Sequence, residues 1–209
     1  MKKQLFIMLF LFPFMVSAQQ IQSYYFVFLN SNPNKEVLDS TRVNELQKLH
    51  LLNIERLYNA GSIIAAGPFH DGGGLFVFSD YSKENVNKLL QTDPAIAANR
   101  FIIEVYPFEF KNGQIGKLEE PYEMISLVFI RLPKNEQSKT QKVIEKITKR
   151  YEKESLASAI FANANGGFIV LEADLDSVKG FIDQKEEQKD IQIRNLYIAK
   201  GSFCKETKI

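Results

Sequence analysis

Of the 209 residues, 26 are Lys or Arg and 25 are Asp or Glu, a net charge of +1 that gives no electrostatic reason to expect nucleic acid or anionic lipid as a partner. The single cysteine, Cys204, rules out an intrachain disulfide, so stability has to come from packing. No Cys/His cluster has metal-ligand spacing, no glycine-rich phosphate loop precedes a helix, and the sequence implies no cofactor.

The chain opens with Lys2 and Lys3, an apolar run from Leu5 to Val16, and Val16-Ser17-Ala18 ahead of Gln19-Gln20. A basic start, a short apolar stretch and small residues at positions −3 and −1 predict a secretory signal peptide cleaved after Ala18. The run falls short of the ~20 apolar residues of a membrane span, and no cysteine follows it to carry a lipid anchor. Removing 18 residues leaves 191, with 24 basic and 25 acidic side chains. The expectation is an exported protein, periplasmic or secreted, with no membrane attachment after cleavage.

Next comes a strand over Ser23 to Leu29, rich in aromatics and closed by Asn30-Ser31-Asn32-Pro33. Thr41 to Ala60 reads as an amphipathic helix ended by Gly61. Short strands at Ser62–Ala66 and Leu75–Ser79 flank the Gly72-Gly73-Gly74 turn. A helix over Ser82–Thr92 takes Ser82 as its N-cap, and a strand over Phe101–Tyr106 ends at Pro107. This βαββαβ order is that of a ferredoxin-like unit. Residues 111–122 read as a linker, and the order then repeats. Strands are expected at Ile125–Arg131, Leu156–Ala162, Phe168–Glu172 and Ile191–Ile198, with helices at Asn135–Lys153 and Ser177–Gln184. A shift of about 93 positions lays Gly73-Gly74 on Gly166-Gly167.

The predicted organisation is therefore a signal peptide (1–18), a first unit (19–110), a linker (111–122) and a second, degenerate unit (123–209). Each four-stranded sheet, covered by helices on one face, needs a partner for its other face. The fold class expected is α+β, two tandem ferredoxin-like units packed sheet to sheet as an internal pseudo-dimeric α/β barrel. A homodimer stays open beside this pseudo-dimer. The alternating aromatics Tyr24, Tyr25, Phe26 and Phe28 fall to core and inter-sheet packing.

Within the first helix, at about 100° per residue, Val43, Leu46, Leu57 and Ala60 share a face with His50 and Asn53. Two hydrogen-bonding side chains in an apolar stripe mark either a satisfied polar core or the floor of a pocket. Asp93-Pro94 reads as an N-cap followed by proline at the first helical position. Asn53 could orient the His50 ring or meet a ligand oxygen. Arg56 lies at the stripe's edge, and His70 and Asp71 sit in the turn, where exposure is expected.

The segments His50-Leu51-Leu52-Asn53-Ile54-Glu55-Arg56-Leu57, Ala60-Gly61, Ala66-Gly67-Pro68-Phe69 and Thr92-Asp93-Pro94-Ala95-Ile96-Ala97-Ala98-Asn99-Arg100-Phe101 resemble the YCII-related (YciI-like) family. The match covers about residues 23–110 and continues through Glu104-Val105-Tyr106-Pro107-Phe108. The resemblance implies ferredoxin-like subunits of the dimeric α/β-barrel type and a site pairing a helix histidine with an aspartate, here His50 and Asp93. Some relatives resemble cofactor-free enzymes acting on chlorinated hydroxyquinols or lactones. The resemblance thus implies a lyase or isomerase moving a proton on a small molecule, with His50 and Asp93 catalytic and Asn53, Arg56 and Phe69 binding substrate. A non-catalytic binding or protein-interaction module is the alternative. In the second unit the position of His50 falls on Val143 or Ile144, that of Asn53 on Lys146 or Ile147, and that of Asp93 near Glu186-Glu187, so one site per chain is expected.

Overall fold

A computed structural model describes residues 24–79, 82–118, 120–183 and 190–206; the expected signal peptide lies outside them. The first half runs β1 (Tyr24–Ser31), α1 (Ser40–Asn59), β2 (Ile63–Pro68), β3 (Gly74–Ser79), α2 (Lys83–Leu90), α3 (Pro94–Ala97) and β4 (Phe101–Asn112). Local chemistry sets these boundaries. Asp39 caps α1 through a bond from the Arg42 amide, and Ser82 caps α2 through one from Asn85. At the far end of α1, Gly61 takes φ +69° while its amide bonds Tyr58 O and that of Ser62 bonds Leu57 O, a Schellman closure.

After a short β5 (Gln114–Ile115), the second half repeats the order. It comprises β6 (Met124–Leu132), α4 (Gln137–Arg150), β7 (Ser155–Phe161), β8 (Gly167–Leu171), α5 (Leu175–Asp183) and β9 (Gln192–Ala199), with a final β10 (Phe203–Cys204). Eight strands form one antiparallel sheet in the order β2-β3-β1-β4-β7-β8-β6-β9, so each half carries its strands in the same 2-3-1-4 arrangement. The halves join edge to edge where β4 pairs with β7, Phe108 opposite Phe161. The outer strands also meet. Phe69 bridges to Leu196, the His70 amide bonds Asn195 O at 3.0 Å, and a Cβ on Gly67 would come within 2.6 Å of Tyr197 O. The sheet curls until its two edges touch, which leaves little open edge for pairing with other chains.

All eight strands of this sheet send side chains into its interior. Phe26, Phe28, Phe108, Phe129, Phe161 and Phe168 are its large members, and Phe26 and Phe129 stack with centroids 5.7 Å apart. A second cluster packs α1 and α2 on the outer face of the first half, around Leu57, Phe76, Phe78 and Val86. A third does the same for α4 and α5, around Ile144, Ile147, Ile169 and Val178.

Four expectations need correction. Pro107 does not end its strand, because β4 continues to Asn112. Pro107 O accepts from the Ala162 amide at 2.8 Å, so its ring nitrogen faces the same side, where β1 asks no bond of it. The linker is partly strand: Gln114–Ile115 pairs with Phe203–Cys204 in a two-stranded ladder. Val43 and Ala60 do not join the buried stripe. The first turn of α1 is exposed throughout, with Val43 at 40%, and Ala60 is an exposed C-cap. Finally, the two sheets expected to face each other are one hydrogen-bonded sheet.

Candidate functional site

His50 and Asp93 meet. Nδ1 of His50 lies 2.7 Å from Asp93 Oδ2, and both residues are buried. Asp93 divides its carboxylate between two tasks. Oδ1 caps α3, accepting the amides of Ala95 at 2.9 Å and Ile96 at 3.2 Å, while Oδ2 accepts from His50 and from Asn53 Nδ2 at 3.2 Å. Burial pushes the Asp93 carboxyl up, but the His50 bond and charge and the bonds from Ile96 and Asn53 outweigh it and hold the group below its ordinary value. An ionised Asp93 can only accept, so Nδ1 of the neutral imidazole carries the proton and Nε2 carries the free lone pair.

Behind this pair stands a second layer. Arg56 Nη2 donates to Asn53 Oδ1 at 2.7 Å and to Thr92 Oγ1 at 2.8 Å. With its oxygen held by Arg56, the Asn53 amide must turn its NH₂ toward Asp93. The chain of bonds Arg56–Asn53–Asp93–His50 fixes the ring without touching its free nitrogen. Phe101 and Phe76 flank the ring, with centroids 5.6 Å and 6.1 Å away.

On its other side His50 lines a cavity of about 460 Å³. Gln47, Leu51, Ile54 and Tyr58 form the α1 wall, Ala65 to Pro68 of β2 the floor, and Leu118, Glu120, Tyr122 and Met124 a strap opposite, with Ala199 and Ser202 beside it. Helical angle explains the division. Taking His50 as zero and about 100° per residue, Ile54, Gln47, Tyr58 and Leu51 fall between about +40° and +100°, whereas Asn53 and Arg56 fall near −60° and −120°. His50 sits at the boundary of the two sectors and faces both.

The expected substrate-binding set is therefore revised. Asn53 and Arg56 lie behind the dyad and do not line the cavity. Arg56, although exposed, is bonded rather than merely solvated. Phe69 is elsewhere: its ring is buried inside the closed sheet, 5.3 Å from Phe129, under the Arg194 guanidinium at 3.9 Å. Beyond the register shift between Ile63 and Ala65 the alternation places Ala65 and Phe69 on the inner face, whereas Ile63 packs on the helix side. His70 and Asp71 are exposed as expected, and Asp71 pairs with Arg194 at 2.7 Å. Of the strap residues, Leu118, Glu120 and Tyr122 fall in the expected linker and Met124 lies just ahead of the strand expected at Ile125, which the structure starts at Met124. Only their apolar spacing within a charged linker hinted at a wall.

The second half supplies an internal comparison. Buried positions of α1 are Leu46, His50, Asn53 and Leu57; on α4 and its cap they are Thr140, Ile144, Ile147 and Tyr151, with identical spacing. His50 thus corresponds to Ile144 and Asn53 to Ile147. The same two helix positions carry aliphatic side chains in one half and, in the other, His50 and Asn53 bonded to Asp93, so the architecture does not itself require His50. Glu186 and Glu187 lie outside the described residues.

No family model matches the chain, and no curated protein gives a significant match. Among solved structures, it is similar to a protein of Fusobacterium nucleatum subsp. nucleatum provisionally named a monooxygenase. The identity is 12% and the TM-score 0.50, over 90% of this chain and 98% of that one. The likeness shows the fold alone. It supports a mixed α+β protein with a large antiparallel sheet, and the coverage takes in both halves.

Proposed function

We propose that this protein is a cofactor-independent lyase or isomerase in which His50 is the base. In this reading Asp93 accepts the Nδ1 proton and fixes the tautomer, and Nε2 takes a proton from a carbon next to a carbonyl in the bound molecule. His50, then an imidazolium stabilised by the Asp93 carboxylate, returns that proton to a different atom (isomerisation) or holds it while a leaving group departs. Asn53 and Arg56 act as positioning residues. The observation that carries the reading is the 2.7 Å His50–Asp93 contact at the wall of a ligand-sized cavity.

Two further readings belong with it. The 2-3-1-4 strand order of each half supports classing the halves as tandem ferredoxin-like units in an internal pseudo-dimeric α/β barrel, and the motifs around His50 and Asp93 support reading the first unit as YciI-like. The N-terminal pattern supports export to the periplasm or medium, with cleavage after Ala18. Bound small molecules are the partners proposed, not nucleic acid or membrane.

The test is proton exchange. Purified protein is incubated in D₂O with small enolisable ketones and lactones, and deuterium incorporation is followed by NMR. At least one compound should exchange on the wild type at least tenfold faster than on His50→Gln. Equal rates across the whole panel would leave a binding module as the better reading.

A further inference from the structure

We infer that the cavity selects an apolar molecule bearing a basic nitrogen, and discriminates against carboxylates and phosphates of the same shape. This rests on the reading of the cavity as the ligand site and deepens it. Among the described residues, no lysine or arginine lines the cavity, whereas two carboxylates do, Glu55 on α1 and Glu120 on the strap. Both are exposed at the rim, and neither has an ion-pair partner among the described residues.

Other exposed carboxylates, Glu84 and Glu152 among them, likewise have no ion pair among the described residues; what sets Glu55 and Glu120 apart is that both line one cavity whose described lining holds no cation. Glu55 and Glu120 line the same cavity, and their combined negative potential there favours a positively charged group. An anionic ligand meets two uncompensated like charges and no cation, so its entry is opposed. The inner end has a different character: Phe76 and Phe101 beside His50 offer aromatic surface to an aryl or alkyl body. Gln47 and Tyr58 stand 11 helical steps apart, about 16 Å at 1.5 Å per residue, which suits an elongated molecule. The polar end would sit at the rim and the reacting carbon near Nε2.

Three probes of one shape decide it: 4-phenylbutylamine, 4-phenylbutanol and 4-phenylbutyrate, titrated by calorimetry at pH 7 and low salt into the signal-free chain. The amine should bind about tenfold tighter than the acid, with the alcohol between. The Glu55→Gln/Glu120→Gln double variant should bring all three within about twofold, and 0.5 M salt should do nearly the same in the wild type. Both carboxylates are exposed, so that variant is expected to fold. Equal or tighter binding of the acid, or an amine preference that survives in the double variant, overturns the charge selection but leaves proton transfer by His50 standing. Failure of all three to bind at millimolar concentration overturns the cavity reading as well.

Discussion

Asp93 does two jobs with two oxygens, and substitutions can separate them. Asn ranks with Asp as a helix cap, so Asp93→Asn keeps α3 started while removing the charge beside His50. We expect a loss of about 1–2 kcal/mol in urea unfolding, against about 2–4 kcal/mol for Asp93→Ala, which strips the cap and strands both His50 and Asn53. The acid limb of stability follows from the lowered Asp93 pKa. A carboxylate whose folded value lies below its ordinary one, 3.8 for Asp, stabilises the fold above that ordinary value. That contribution disappears as pH falls from about 4 through the folded value, so Asp93→Asn should flatten the pH dependence of the urea midpoint below pH 4. An unchanged slope would mean that Asp93 is no better held in the folded state than in the unfolded one.

At the scale of elements, the turns carry conformations that only glycine reaches freely, and two of them separate strain from collision. Gly61 has φ +69° and open space around its Cβ position, so Gly61→Ala should cost about 1–2 kcal/mol from backbone strain alone. Gly73 has φ +72°, and a Cβ there would lie 2.1 Å from Leu29 O, so Gly73→Ala should cost appreciably more, about 3 kcal/mol or above, by thermal or urea unfolding. Gly166 repeats that contact against Leu132 O in the second half. These glycines were part of what made the element order legible: each is a turn between two apolar runs, and Ser82 and Asp93 announce helix starts by type and position. Strand lengths were less legible. Pro107 reads as a stop unless the direction of its missing donor is known, and that depends on which neighbour flanks it. The site was legible in part. His50 stands out as polar in an apolar stripe, but a stripe alone does not say that Asn53 turns toward Asp93 or that Phe69 turns into the sheet. The strap is hard to read because its apolar residues, Leu118, Tyr122 and Met124, are few and set in a charged stretch too short to define a face.

For the whole molecule, the closed sheet places a charged cluster where the two halves meet across its interior. Arg131 on β6 donates to Glu104 on β4 through Nη1 at 3.0 Å and Nη2 at 2.7 Å, while its guanidinium lies 4.0 Å over the Phe28 ring. Asn30 and Tyr106 also donate to Glu104. The Arg131 bond above all, against the opposing effect of burial, holds the Glu104 carboxyl at about 2 rather than 4.5. Its stabilisation is therefore full above about pH 4.5 and is lost as pH falls toward about 2. Because Glu104 is partly solvated, we expect Glu104→Gln to cost about 1–2 kcal/mol at pH 7, a difference that narrows toward pH 2. The cluster ties β4 to β6 and is distinct from the His50 cavity, so this variant should leave ligand binding there intact. The claim that joins all three scales is that Asp93 fixes the His50 ring with its basic nitrogen on the cavity. The direct measurement is ¹⁵N NMR of the histidine ring nitrogens in the neutral form, with and without 4-phenylbutylamine. The expected result is a protonated Nδ1, a bare Nε2, and an Nε2 resonance that moves on ligand addition in the wild type. A protonated Nε2 with a bare Nδ1, or ring resonances indifferent to a ligand that binds, would contradict it.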